Sequence, residues 1–291
     1  MIAHEIATAT NSQTQETAPN LIVETGEFRY AYRRFGLRRG TPILFLQHFR
    51  GTMDNWDPAV INVIARSHEV ILFDNAGVGG SSGTAESTIA ASARHVVAFV
   101  RALGLKSVDI FGFSMGGFIA QQVAQDSPSL VRRLVLVGTG PQGGERIDWR
   151  STTEVASHVA IDAPGPDDLM YAFFARSETS QKAARAFVQR LGTRTAEPDG
   201  PSTLQARDAQ TAAIAAWGAS NGGDYSRLRT LLQPALIVNG IDDIVVPAVN
   251  SWILASNLPN ALLIIYPDAG HGSLYQYADS FNDHVLRFLQ T

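Results

Sequence analysis

The sequence predicts an α/β fold with a mostly parallel central sheet flanked by helices, on three observations. Apolar, strand-like runs alternate with helix-like segments along most of the 291 residues, as in a sheet covered on both faces. A β-type run ends in Gly112-Phe113-Ser114-Met115-Gly116 and passes at once into a helix-like stretch. The region from about Gly140 to Leu232 carries helical patterns and no strong β-run, which reads as a helical cap inserted between two core strands.

In chain order, residues 21–23 and 28–32, around Glu24-Thr25-Gly26, read as an antiparallel hairpin at one edge. Residues 42–46, 70–73, 108–111, 134–137, 235–238 and 262–266 are the candidate central strands. Periodic apolar positions predict helices over 89–103, 117–125, 248–256 and 275–289, the last amphipathic through Phe281, Val285, Leu286, Phe288 and Leu289. Within the insertion, helical patterns cover 168–175, 181–191 and 204–217, broken by Gly and Pro clusters at 163–166 and 197–201. The expected organisation is a mobile tail over 1–20, a core formed by 21–140 and 233–291, and a helical cap over 141–232.

Composition excludes several classes. A hydrophobic fraction of 45% suits a globular protein with a substantial core, and a net charge of −4 gives no reason to expect nucleic acid or an anionic membrane as partner. With no cysteine, disulfides, a thiolate nucleophile and Cys-ligated metal are ruled out. The histidines are scattered and lack metal-binding spacing, so no metal is expected. Residues 1–20 lack the basic and unbroken apolar regions of a secretory signal, and no stretch approaches the apolar length of a membrane span, so the expectation is a cytoplasmic protein. Gly77-Val78-Gly79 does not open a helix directly after a strand, as a dinucleotide fingerprint does, and no cofactor is expected.

The candidate chemistry centres on Ser114. A strand that reverses into a helix within about two residues leaves little room for side chains, which explains Gly112 and Gly116 beside the turn. A serine hydroxyl needs a base, usually histidine, and that base needs an orienting carboxylate. Both stand after predicted strands: Asp242-Asp243 follows 235–238, and His271, between two glycines, follows 262–266. The backbone N–H of Met115, immediately after Ser114, is a candidate donor for a developing oxyanion.

The Gly-x-Ser-x-Gly turn between strand and helix, with Ser, Asp and His in that order, resembles the α/β-hydrolase superfamily. Asp74-Asn75-Ala76-Gly77-Val78-Gly79-Gly80-Ser81 is similar to its D-x-x-G-x-G-x-S turn. The resemblance covers about 21–138 and 234 to the C-terminus. It is closest to the branch of serine esterases, lactonases, C–C bond hydrolases and cofactor-free haloperoxidases. It implies Ser114 as nucleophile, His271 as base and Asp243, at the G-x-x-D position, as the acid, with Asp242 a turn residue. Gln47-His48-Phe49-Arg50-Gly51 resembles the His-Gly-Phe oxyanion loop, with Gln47 at the His position and His48 at the Gly position. Phe49 then supplies an amide, or His48 does if the register shifts by one.

The implied function is hydrolysis of an ester or lactone of a small to medium, largely apolar molecule. The alternatives are C–C hydrolysis or perhydrolysis by the same residues, or a ligand receptor with a slow triad. His48, Trp56 and Tyr275 are candidate substrate contacts, as are the apolar cap residues Met170, Tyr171, Phe173, Phe174, Phe187 and Trp217. Arg50 is a candidate partner for a substrate carboxylate, with a surface role as its other reading. The cap offers a possible face for homo-oligomers.

Overall fold

The structure is a computed structural model that describes residues 13–290, Ser151 by its backbone alone. The first three strands are β1 (Leu21–Thr25), β2 (Phe28–Gly36) and β3 (Ile43–Leu46). Then come α1 (Pro58–Ala65), β4 (Glu69–Phe73), α2 (Ile89–Ala102), β5 (Val108–Phe113), α3 (Met115–Asp126) and β6 (Val131–Val137). Only helices follow before the next strand: α4 (Thr153–Val159), α5 (Pro166–Phe173), α6 (Glu178–Leu191) and α7 (Leu204–Gly218), with short 3-10 turns between. The chain closes with β7 (Ala235–Gly240), α8 (Val249–Asn257), β8 (Ala261–Tyr266), α9 (Ser273–Gln276) and α10 (Ala278–Gln290).

The eight strands form one sheet in the order β1-β2-β4-β3-β5-β6-β7-β8. The β1–β2 and β2–β4 pairs are antiparallel, and every other pair is parallel. The central strands β3, β4 and β5 are buried along their whole length, as continuous apolar runs require. β3 starts one residue later than its apolar run suggests because Pro42 has no N–H to donate; its carbonyl still accepts from the Asp109 amide. Asp57 caps α1 with Pro58 at the first helical position, and Thr88 caps α2 through the Ala91 amide, 3.2 Å away.

The structure departs from the sequence reading at three places. The expected helix over 275–289 is two helices, α9 and α10, separated at Tyr277, which has left helical geometry at φ −107°. Helices α1 and α4 were not anticipated; in α4 only Val155 is buried, too little apolar periodicity to register. Of the mobile tail expected over 1–20, the first twelve residues lie outside the described residues, but 13–20 are docked. Ala18 is fully buried, Gln15 Nε2 donates to Met53 O at 2.7 Å, and Arg194 donates to the carbonyls of Gln15, Glu16 and Ala18.

The helical segment between β6 and β7 is anchored by arginines. Arg190 of α6 makes a two-pronged ion pair with Asp57, whose carboxylate is sealed from solvent. Arg33, a fully buried β2 residue, reaches Asp54 at 2.6 Å and Asp199 at 3.6 Å. Asp199 also donates its backbone N–H to Asp54 at 2.7 Å. Among the described residues, no helix is long and apolar enough to cross a membrane.

Candidate active site

Ser114 sits between β5 and α3 with φ 55° and ψ −120°, a left-handed φ that a residue with a Cβ disfavours. The turn is held by the Ser114 amide donating to Val137 O at 2.8 Å and by Thr139 Oγ1 donating to Ser114 O at 2.9 Å. A Cβ on Gly112 would lie 2.5 Å from Gly116 O, and one on Gly116 would lie 2.0 Å from Leu46 O. Both glycines are therefore fixed by close packing of strand, turn and helix, as their spacing suggests. The bend lifts Ser114 to the wall of a large cavity.

Asp243 and His271 come from the loops after β7 and β8. Asp243 Oδ1 accepts the amides of Val245 and Val246 at 2.8 and 2.9 Å, while Oδ2 lies 2.8 Å from His271 Nδ1. Three acceptor contacts fix the carboxylate, and the carboxylate fixes the ring. The pairing makes Nδ1 the protonated nitrogen and leaves Nε2 with the lone pair, an assignment from hydrogen bonding. Asp242 is exposed and donates its amide to Ala269 O, a turn role. The His271 ring is buried against Phe113 and Phe173, at 5.0 and 5.5 Å between centroids. Ser114 and His271 line the same cavity.

In the loop after β3 the His48 and Phe49 amides differ in their partners. Gly51 N–H donates to His48 O at 3.0 Å, closing a four-residue turn whose third residue, Arg50, has φ 62°; Phe49 precedes it with negative φ, the pattern of a type II turn. The His48–Phe49 peptide is planar and trans, so its N–H points opposite to its carbonyl, away from the inside of the turn. The His48 amide is occupied by its neighbour, donating to Gln47 Oε1 at 2.9 Å. Among the described residues, neither the Phe49 nor the Met115 amide donates within the chain. Gly51 is required because a Cβ there would meet Gln47 and His48 at 2.3 and 2.9 Å.

The cavity is about 670 Å³, and its lining includes the apolar residues Phe49, Phe118, Ile147, Trp149, Leu169, Phe173, Ile214, Val245 and Val246. It is also lined by Asp54, Asp162, Asp168 and Asp199. Each of these carboxylates is already paired, with Arg33 (Asp54 and Asp199), Arg207 (Asp162) or His158 (Asp168). Among the described residues, Arg50 is the one Arg or Lys lining the cavity, and its guanidinium is spent on the carbonyls of Ile161 and Asp162 at 2.7 and 2.9 Å, with Ser202 at 3.4 Å. Arg50 is thus half-buried, with its guanidinium donors engaged by backbone carbonyls.

His48 lines the cavity, with Nδ1 2.8 Å from Phe49 O. Burial, reinforced by the nearby His271, pushes its pKa down to about 4, so it is neutral near pH 7. Trp56 and Tyr275, expected as substrate contacts, do not line the cavity. Trp56 is fully buried against Phe45 and Phe111, in the core beneath the loop. Tyr275 is buried behind His271, stacked on Phe187 at 4.5 Å. Both follow from their size: an aromatic next to a functional loop more often fills the space that holds the loop rigid. Of the six apolar residues singled out between β6 and β7, Phe173 lines the cavity, whereas Phe187 and Trp217 pack helix on helix or on α3.

The sequence reading missed the His158–Asp168 pair, 2.8 Å apart on α4 and α5, and Gln210 of α7, which accepts the Arg50 amide at 2.7 Å. Neither has a local signature, because each partner is supplied by another element.

A sheet of this order, carrying a strained serine at the end of β5 and a buried His–Asp pair after β8 and β7, defines an α/β-hydrolase. Residues 41–277 match the alpha/beta hydrolase fold family, and the chain belongs to it. It is accordingly an enzyme of the hydrolase class.

Among relatives, the sequence is 26% identical over 264 residues to the putative carbamate hydrolase RutD of Variovorax paradoxus (strain S110), covering 89% of this chain and 95% of that one. It is 30% identical over 241 residues to 2-hydroxy-6-oxononadienedioate/2-hydroxy-6-oxononatrienedioate hydrolase 1 of Dechloromonas aromatica (strain RCB), covering 81% of each. Among solved structures, an alpha/beta hydrolase fold protein from Chitinophaga pinensis superposes with a TM-score of 0.90 at 36% identity, over 96% of this chain and all of that one. Est816, an N-acyl homoserine lactone degrading enzyme, superposes with a TM-score of 0.73 at 25% identity, over 92% of this chain and 100% of that one.

Proposed function

We propose that this chain is a serine hydrolase that cleaves the ester or lactone bond of a small to medium, largely apolar substrate through an acyl-enzyme on Ser114. The observation that carries the reading is that His271, 2.8 Å from Asp243, lines the same cavity as Ser114. His271 Nε2 takes the Ser114 proton as Oγ attacks the carbonyl carbon. The carbonyl oxygen becomes negative and is held by the Phe49 and Met115 amides, neither of which has a partner among the described residues. His271 returns the proton to the departing alkoxide, and the acyl group stays on Ser114. Water, deprotonated by His271, then attacks the acyl carbon and releases the acid and a free Ser114 hydroxyl. No cofactor is called for. The helices between β6 and β7 act as the cap that shapes the substrate site, since they contribute Leu169, Phe173 and Ile214 to the cavity wall.

An apolar wall, on which the donors of Arg50 are already engaged by carbonyls, favours neutral acyl groups. The Dechloromonas relative is named for dioate substrates; among the described residues lining this cavity, no other Arg or Lys stands beside Arg50 to meet a second carboxylate. Ester or lactone hydrolysis is therefore preferred to C–C cleavage of such dianions. Purified protein assayed against paired substrates, identical except for a terminal methyl ester or free carboxylate, is expected to favour the neutral member by at least about tenfold in kcat/KM, the worth of roughly one lost ion pair in a partly buried site. Ser114→Ala is expected to abolish turnover of the neutral member while melting as the wild type does. Retained activity in that variant would contradict the assignment.

A further inference from the structure

We propose that Thr139 is a positioning residue: its hydroxyl fixes the Ser114–Met115 peptide, and with it the strained backbone of Ser114 and the direction of the Met115 amide. The role presupposes Ser114 as nucleophile and that amide as oxyanion donor, so it rests on the function proposed above.

The φ and ψ of Ser114 are the rotations that relate the peptide before it to the peptide after it. Both peptides are tied to one short stretch at the end of β6. The Ser114 amide donates to Val137 O at 2.8 Å, and the Ser114 carbonyl accepts from Thr139 Oγ1 at 2.9 Å. That carbonyl also accepts from the Gly117 amide at 2.8 Å, a bond that belongs to the first turn of α3. Thr139 supplies the tie from outside the helix. At φ 55° and ψ −120°, a residue with a Cβ persists only where its surroundings over-determine it. Relaxing Ser114 to an ordinary φ and ψ would swing one of the two peptides off its partner. A planar trans peptide points its N–H opposite to its carbonyl. The oxygen that Thr139 holds and the Met115 N–H belong to the same peptide, so what fixes one fixes the other.

The hydroxyl is itself held. Thr139 is buried, and its neighbour Gly138, at φ 54°, donates its amide to Val238 O at 2.9 Å. Gln121 Nε2 of α3 donates to Gly117 O and to Gly140 O, both at 3.0 Å, bracing the stretch against the helix. Gly117 leaves the space that the threonine fills: a Cβ there would lie 2.5 Å from Thr139 Oγ1 and 2.6 Å from Thr139 Cβ. The second glycine of Gly116-Gly117 is thereby accounted for. Gly138 in turn lies against the base, since a Cβ on it would be 3.1 Å from the His271 ring.

Three variants separate this role from plain packing. Thr139→Val keeps the branching but has no hydroxyl to donate. Its kcat on a neutral ester is expected to fall about tenfold to a hundredfold with KM nearly unchanged, because the amide acts on the transition state. Thr139→Ser keeps the hydroxyl and loses a buried methyl, so it is expected to melt below the wild type yet hold kcat within about threefold. Activity then follows the hydroxyl while stability follows the methyl, a split that packing alone does not produce. If Thr139→Val does not fold, Thr139→Ser and Thr139→Ala differ by the hydroxyl alone, and Ala is expected to have the lower kcat by about tenfold. Wild-type kcat in Thr139→Val, equal kcat with and without the hydroxyl, or a change confined to KM overturns the proposal. Ser114→Ala, run alongside, distinguishes the two failures. If it retains activity, the serine hydrolase reading itself falls; if it is inactive while Thr139→Val keeps full kcat, only the role of Thr139 falls.

Discussion

Besides the Asp243–His271 contact, Ser114, Asp243 and His271 are fixed by neighbours that do not titrate: two glycines at Ser114, two backbone amides at Asp243 and two phenyl rings at His271. Asp243→Asn keeps the shape but presents an amide to Nδ1 and favours the wrong tautomer, so kcat on a nitrophenyl ester is expected to drop by about 10³–10⁴ with folding intact. Trp56→Phe, at a core position, is expected to lower the melting temperature and leave KM unchanged. His48 carries a pH signature. Its pKa is about 4 in the folded chain against 6.5 as the ordinary value, so below 6.5 the unfolded chain takes up a proton that the folded chain refuses. Its contribution is therefore complete above pH 6.5 and is lost as pH falls towards 4. Asp74, whose carboxyl burial raises to about 7, drives stability the opposite way over much of that range, so the readout is a difference between proteins. Denaturant melts of His48→Gln are expected to show a flatter rise of stability from pH 4 to 6.5 than wild type, by up to one proton. At this scale the sequence singled out Ser114, Asp243 and His271 as candidates, because each follows a strand in a short motif. It did not disclose Trp56 or Tyr275 as core residues, since adjacency along the chain does not say which way a ring points.

Secondary-structure elements were legible wherever burial is continuous. The central strands follow from apolar runs, and α2, α3, α8 and the three longer helices between β6 and β7 from their periodicity. What was hidden was contributed across elements: α4 has a single buried residue, and α9 and α10 divide at a tyrosine with no Gly or Pro to mark the break. The hold of α6 on the core combines the stacking of Phe187 on Tyr275 with the Arg190–Asp57 ion pair. Arg190→Ala would strand the fully buried Asp57 carboxylate, which also caps α1. Because Arg190 keeps partial solvent contact, the loss is expected at the lower end of the ~3–5 kcal/mol typical of breaking buried pairs. Chemical denaturation measures it, and an unchanged midpoint would show that the pair contributes nothing.

At the scale of the molecule, the parallel sheet gathers the loops after β3, β5, β7 and β8 on one cavity, and the helical segment closes it with apolar side chains and paired carboxylates. The fold was visible in the sequence because strand alternation is a long-range pattern; the charge balance of the cavity was not, because Arg33, Asp54 and Asp199 meet only after folding. The central claim is that the serine lifted by the β5–α3 bend is activated by His271. Its most direct test is labelling of the purified protein with a fluorophosphonate, followed by peptide mass mapping, for wild type and His271→Ala. A single phosphonate on Ser114 in the wild type, formed at least about a hundredfold more slowly without the imidazole, is the expected result. Absence of label, label on another residue, or equal rates in the two proteins would contradict it.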